Sequence, residues 1–151
     1  MLESKLKNYL GQTCFETSFE DKLGYLEAQM QQYNNFSQIR ENFELMLQLV
    51  KSNKVDTLVL DVSKVRVPWI QANDWIEQSW VPRATNAGLK HFLLLVSKDK
   101  FSQLSGQDLM QRFLYTTNGL QFLVVDTAEE MLETLIALKA KLVKAKSPKG
   151  Q

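Results

Sequence analysis

The alternation of apolar and polar residues changes its period along the chain and predicts an ordered series of strands and helices. Residues 14–30 alternate on either side of a turn near 21–24, which predicts a β-hairpin. Apolar side chains at steps of three and four over 36–50 then predict an amphipathic helix, with Asn35 and Gln38 as its cap. The apolar stripe of this helix comprises Phe36, Ile39, Phe43, Met46, Leu47 and Val50.

Three short apolar runs follow, over residues 55–62, 90–96 and 120–125, and they predict central strands that are buried on both faces. Helical sequence separates the runs, and the helix before the third run is predicted to begin at a Ser105 cap and to stop at Asn118-Gly119. A last helix opens with Thr127 and Glu130 at capping-box spacing. Its predicted buried side comprises Ala128, Met131, Leu132, Leu135 and Leu142.

The resulting order, β-β-α-β-α-β-α-β-α, predicts one α/β domain with an N-terminal hairpin and a mixed sheet, whose parallel core strands are joined by helices. The domain is predicted to span residues 1–151, with an ordered core over about 12–143 and a disordered tail over 144–151. The strand residues predicted to form the core are Leu58, Leu60, Phe92, Leu94, Phe122 and Val124.

Composition narrows the classes of function. The chain has 18 basic and 17 acidic residues, so we expect no nucleic-acid partner, and the five lysines of residues 139–151 are read as a frayed helix end and a solvated tail. Cys14 and His91 are the only cysteine and histidine, so we expect structural roles for both and neither a disulfide nor a metal cofactor. Without an apolar run longer than residues 92–96, we expect a cytoplasmic protein with no signal peptide or membrane span.

The element order and the segment LVLDVSKV, residues 58–65, resemble the STAS, or SpoIIAA-like, domain of bacterial anti-sigma-factor antagonists. The residues that match the family pattern are Asp61, Val62, Ser63 and Val65. The closer resemblance is to uncharacterised bacterial STAS-like proteins, related in fold to CRAL-TRIO lipid-transfer domains, in which a Trp-bearing helix precedes a segment similar to WVPRATNAGLKHF. The resemblance implies a STAS-like fold and a signalling or protein-interaction role.

The regulated antagonists carry Asp-Ser-x-Gly after this strand, and the serine is phosphorylated. The corresponding residues in this chain are Trp69, Ile70, Gln71 and Ala72. Because Ile70 has no hydroxyl group, we expect no phosphorylation switch at this position. Ser63 lies nearby, but a serine just after a strand more commonly forms a local backbone hydrogen bond.

All three tryptophans lie in WIQANDWIEQSWVPR, residues 69–83, on a helix that is predicted to start at Pro68 and to break or kink at Pro82. At about 100° per residue, Trp69 and Trp80 share one stripe, whereas Trp75 lies about 240° around from Trp69. We therefore expect Trp69 and Trp80 to be buried and Trp75 to face a protein partner or a second subunit. Two alternatives remain open: all three indoles belong to the core, or they line a small-molecule or lipid pocket between the sheet and residues 68–80.

Arg83 and Asp61 complete the predicted partner- or ligand-binding residues. Arg83 could hold an anionic group or form a surface salt bridge, and Asp61 ends a central strand, where open α/β sheets place ligands. The alternative for Asp61 is that it accepts backbone N–H groups of the next loop.

The chain has no Gly-rich phosphate loop, G-x-S-x-G or H-E-x-x-H motif, so we predict a non-catalytic protein. A closed apolar pocket on the order of 300 Å³ or more between the sheet and residues 68–80 would favour a small apolar or anionic ligand over a protein partner.

Overall fold

The apolar runs form a six-stranded mixed sheet in which the strands lie in the order of the sequence. The computed structural model describes residues 3–7, 10–32, 34–66, 68–96, 98–115 and 119–146. The strands are β1 (Glu3–Lys7), β2 (Thr13–Glu20), β3 (Tyr25–Met30), β4 (Thr57–Asp61), β5 (His91–Leu95) and β6 (Gln121–Val125). The first three strands are antiparallel, and β3 to β6 are parallel. The predicted α/β class, the hairpin and the parallel core strands are confirmed.

Strand β1 was not predicted, because five residues with one apolar side chain facing the core show no clear alternation. It pairs with β2 from Glu3 opposite Ser18 to Lys7 opposite Thr13, and Leu6 packs against the core. The sheet therefore has one strand more than the sequence pattern indicated, and the folded region begins before the predicted residue 12.

Helix α1 spans Phe36–Asn53 and has the predicted cap. The Asn35 side chain accepts the Gln38 backbone N–H at 2.8 Å, and the Gln38 side chain accepts the Asn35 backbone N–H at 2.8 Å. This exchange satisfies two of the backbone donors that a helix leaves unpaired at its first turn. The predicted stripe of α1 is buried except for Phe36, which is 43% exposed because it lies at the first residue of the helix.

The helices cover the two faces of the sheet unequally. Leu58 and Leu60 of β4 point into the larger core, which also contains the buried residues of α1 and of the helical segments that precede β5 and β6. Val59 points to the other face, where it packs with Tyr25, Leu93 and Leu135. Leu135 belongs to α5 (Ala128–Lys146), and among the described helices only α5 packs on this second face. Of the predicted core strand residues, Val124 alone is only partly buried, and it packs against the larger core.

The helix before β6 does not begin at Ser105. Helix α4 spans Lys100–Tyr115, and Ser105 lies within it at 1% exposure. The adjacent Gly106 allows close packing on the sheet, because a Cβ atom there would lie 3.1 Å from the Val96 side chain. Asn118 of the predicted stop lies outside the described residues, while Gly119 has the left-handed φ of 82° that favours glycine.

Helix α5 has the predicted cap, because the Thr127 hydroxyl accepts the Glu130 N–H at 3.0 Å. Its predicted buried side is only partly correct. Leu135 is buried and Met131 is half-buried, because both pack against the second face of the sheet, whereas Ala128 and Leu132 are exposed. The side chain of Leu142 and the tail residues 147–151 lie outside the described part of the chain.

Candidate interaction surface around Trp75

The tryptophan-bearing segment, residues 70–86, changes its hydrogen-bond spacing along its length. It consists of a 3-10 turn (Ile70–Ala72), α2 (Asn73–Trp75), a π-helical turn (Ile76–Trp80) and α3 (Val81–Asn86). The Val81 N–H donates to the Ile76 carbonyl group, five residues earlier. This wider turn brings residues five apart onto neighbouring positions, so the spacing of 100° per residue does not hold between Trp75 and Trp80.

Of the two outcomes predicted at Pro82, a break or a kink, the break is wrong, because the helix continues past this residue. In a regular α-helix a proline lacks the N–H for the bond to the residue four positions earlier, and its ring collides with that carbonyl group. Pro82 follows the π-helical turn and lies in the first turn of α3, where a missing N–H is tolerated. The helix therefore continues to Asn86.

Trp80 is a core residue. It is fully buried, and its indole N–H donates to the Phe43 carbonyl oxygen of α1 at 2.7 Å. Its ring meets Phe43 edge-on at 5.0 Å between centroids and Phe92 at 5.4 Å. The predicted burial of Trp80 is confirmed, and the enclosed indole has no free surface for a partner.

Trp69 is also buried, at 5% exposure, and its backbone N–H donates to the Ser105 hydroxyl at 3.2 Å. Its indole N–H has no hydrogen-bond partner among the described residues. The indole lines a void of about 10 Å³ between the sheet, α1 and α4. That volume is near the minimum for one water molecule. The condition that would favour a ligand carrier, a pocket on the order of 300 Å³ at this place, is not met in the described structure.

Trp75 differs from the other two tryptophans because it is only half-buried and lies at the edge of the larger core. Its ring meets Phe43 edge-on at 6.3 Å, and the guanidinium carbons of Arg40 and Arg83 lie 5.1 and 5.9 Å from its centroid. Arg40 also lies 5.9 Å from the ring of Phe36. We call the set Phe36, Arg40, Trp75 and Arg83 the Trp75 surface.

The two arginines of the Trp75 surface have different electrostatic surroundings. Arg83 donates two hydrogen bonds to the carboxylate of Glu44, at 2.9 and 2.5 Å, and two more to Ser79. The hydrogen bond from Arg83 lowers the pKa of the Glu44 carboxyl group. The salt-bridge alternative for Arg83 is therefore the arrangement found. Arg40 is exposed and forms no ion pair with a described residue, so it is the cation of this surface that is available to an incoming anion.

An open groove of about 880 Å³ adjoins the Trp75 surface along the exposed side of α1. Phe36, Arg40 and Arg83 belong to its lining, together with Leu6 of β1 and Leu45 of α1. The groove thus continues the surface with both apolar and charged groups. Phe36 and Arg40 were not predicted as site residues, although their spacing of four places them on one side of a helix.

Asp61 lies on the other face of the sheet and is not brought together with the tryptophans. Its carboxylate accepts the Ser63 backbone N–H at 2.8 Å and the Gln29 side-chain N–H at 3.0 Å. The local-backbone alternative for Asp61 is thus the one observed. Burial raises the pKa of the neighbouring Glu27, and the negative charges of Asp61 and Glu20 raise it further.

A charged cluster that the sequence analysis missed joins α4 to the tryptophan-bearing segment. Arg112 contacts Asp108 at 2.7 Å, Asp74 at 2.5 Å and Glu77 at 3.0 Å. Partial burial opposes ionisation of Asp108, but hydrogen bonds from Asn73 and Arg112 outweigh it and lower the pKa of this carboxyl group. The spacing of four residues between Asp108 and Arg112, which places them side by side on a helix, could have predicted this one ion pair from the sequence. These contacts link α4 to the segment that carries Trp75.

Within the described ranges, no group of three or more histidine, cysteine or acidic side chains is arranged to hold a metal ion. None of the helices, over the same residues, is long and apolar enough to cross a membrane. Comparison with protein-family models gives no match to this chain, and comparison with curated proteins gives none either.

Proposed function

We propose that this protein is a non-catalytic protein-interaction module of the STAS-like type, and that its partner binds at the Trp75 surface. The STAS-like part of the proposal is supported by the resemblance of residues 58–65 and by the order of strands and helices. Because Ile70 lacks a hydroxyl group, binding is not controlled by a phosphate at that position.

The observation that carries the proposal is the half-buried indole of Trp75, which lies at the edge of the core beside two arginines. Trp69 and Trp80 are enclosed by the core, whereas Trp75 keeps part of its surface in solvent although it packs on Phe43. Tryptophan and arginine are the residues most enriched among those that dominate binding energy at protein interfaces. The Trp75 indole beside two guanidinium groups offers apolar area together with charge.

The chemistry of the partner follows from the same residues. Covering Trp75 and the 43%-exposed Phe36 requires an apolar side chain of the partner. Arg40 is exposed and forms no ion pair with a described residue, although its charge helps to lower the pKa of Glu44. The complementary group is therefore an aspartate or glutamate next to that apolar side chain. Arg83 is already neutralised by Glu44 and contributes mainly its contact with the indole.

The test compares Trp75→Ala with Gln107→Ala, a substitution of an exposed α4 residue. Tagged wild-type chain captures partners from a lysate of the source organism, and each captured protein is purified and titrated by calorimetry. A loss of about 2 kcal/mol or more at a residue that dominates binding corresponds to at least a roughly 30-fold weaker Kd. We expect this loss for Trp75→Ala and an unchanged Kd for Gln107→Ala.

Thermal unfolding accompanies the titrations, because Trp75→Ala should weaken binding while the protein remains folded. An unchanged Kd of Trp75→Ala for every reconstituted partner would contradict the proposal. So would a purified complex that depends on Gln107 as strongly as on Trp75.

A further inference from the structure

A second exposed surface, on α5, has the chemistry that the Trp75 surface requires. Leu132 and Ile136 are 47% and 51% exposed, and Glu129 and Glu133 are exposed beside them. These four residues have helical spacings of three and four, which place them on one side of α5. Neither glutamate forms an ion pair with a described residue. We call this set the α5 face.

We propose that the α5 face of one copy of this protein binds the Trp75 surface of a second copy. The inference rests on the proposed function and specifies its partner. Leu132 and Ile136 supply the apolar side chains that cover Trp75, and Glu129 and Glu133 supply the carboxylates that complement Arg40. The two surfaces thus match both in apolar character and in sign of charge.

The fold determines the geometry of this association. The Trp75 surface belongs to α1 and the segment over residues 70–86, whereas the α5 face belongs to the helix that covers the opposite side of the sheet. The two surfaces of one chain therefore face away from each other. A contact between unlike surfaces is heterologous and produces rings or open head-to-tail chains of copies.

The central experiment uses two variants, each with one surface disabled. Arg40→Glu reverses the charge of the Trp75 surface, and Leu132→Ser with Ile136→Ser removes the apolar part of the α5 face. Sedimentation velocity of the wild-type chain over a concentration series should show assembly beyond a dimer. Each variant alone should be monomeric, because every contact needs both surfaces.

Mixing the two variants distinguishes this arrangement from all symmetric dimers. Each variant retains the surface that the other has lost, so the mixture should form a 1:1 complex that does not grow further. A charge exchange adds a second test, in which Arg40→Glu combined with Glu129→Lys and Glu133→Lys should restore assembly. Leu104→Ser, at an exposed apolar residue of α4, is the control and should leave assembly unchanged.

A monomeric wild-type chain at the highest concentration, or a mixture that stays monomeric while the wild type assembles, would overturn the inference. Loss of assembly in Leu104→Ser would do the same. If the wild type is monomeric but a different protein binds in a Trp75-dependent manner, the inference fails while the proposed function stands. If neither self-assembly nor capture responds to Trp75→Ala, both fail.

Discussion

The hydrogen bond of the Trp80 indole to α1 makes a quantitative prediction. Substitution of Trp80 by phenylalanine keeps an aromatic ring against Phe43 and Phe92 but removes the N–H group that donates to the Phe43 carbonyl oxygen at 2.7 Å. Because Trp80 is fully buried, solvent cannot replace the lost contacts without a rearrangement of the core. We therefore expect Trp80→Phe to fold but to be clearly less stable.

The magnitude follows from the atoms removed from the core. Phenylalanine lacks two carbon atoms of the indole, at about 0.8 kcal/mol for each buried carbon group. The hydrogen bond contributes about 1 kcal/mol net. Together these losses lower the free energy of unfolding by about 2–3 kcal/mol. With a urea m-value of about 2 kcal/mol/M, the unfolding midpoint should fall by roughly 1–1.5 M.

The assay is urea unfolding followed by far-UV circular dichroism, since the substitution itself changes the fluorescence. Trp75→Phe is the matched control, because Trp75 is half-exposed and no hydrogen bond joins its indole to a described residue. Its midpoint should fall by less than about 0.5 M. Equal midpoints for the two variants would refute the distinction between a core indole and a surface indole.

Two further predictions concern a buried hydroxyl and a carboxyl group. Ser105→Ala removes the hydroxyl group that accepts the buried backbone N–H of Trp69. It should lower the free energy of unfolding, measured by chemical unfolding, by about 1–3 kcal/mol. The exposed Ser37→Ala should cost less than about 0.5 kcal/mol, and equal costs would contradict this assignment. Burial raises the pKa of Glu27 in the folded protein above the value of about 4.3 that a glutamate has in the unfolded chain. As the pH rises above about 4.3, the unfolded state therefore ionises more readily than the folded state, and the protein loses stability. Glu27→Gln should therefore raise the midpoint of urea unfolding at pH 7 and raise it much less at pH 4. Glu41→Gln, at an exposed residue, should show no such difference between the two pH values. An equal gain for Glu27→Gln at both pH values would contradict the explanation.

Local sequence chemistry was enough to locate most elements of the fold. The Asn35–Gln38 and Thr127–Glu130 caps predicted where two helices begin. Asn35 and Gln38 form both expected hydrogen bonds, whereas the Glu130 N–H donates to Thr127 and the Glu130 carboxylate accepts the Asp126 N–H. Such bonds join residues three or four positions apart, so their partners can be read from the sequence. The central strands were equally clear, since strands buried on both faces must be apolar almost throughout.

The burial of Trp69 and Trp80 was also predicted correctly from the sequence, but the uniform α-helix on which that prediction relied is not present. A π-helical turn brings Trp75 and Trp80 to neighbouring positions, where both contact Phe43. As a result, Trp75 lies half-buried at the margin of the core. The role of Trp75 in binding stays a prediction.

Only the tertiary structure decided which residues surround Trp75. Phe36 fitted the apolar stripe of α1, yet the segment over residues 70–86 does not cover it, and Arg40 packs between its ring and the indole. Likewise, Ser105 resembled a helix cap but binds Trp69, which is 36 residues earlier in the chain. Periodicity and capping report interactions within a few residues. Contacts between distant segments depend on how the helices pack on the sheet, which sequence spacing alone does not specify.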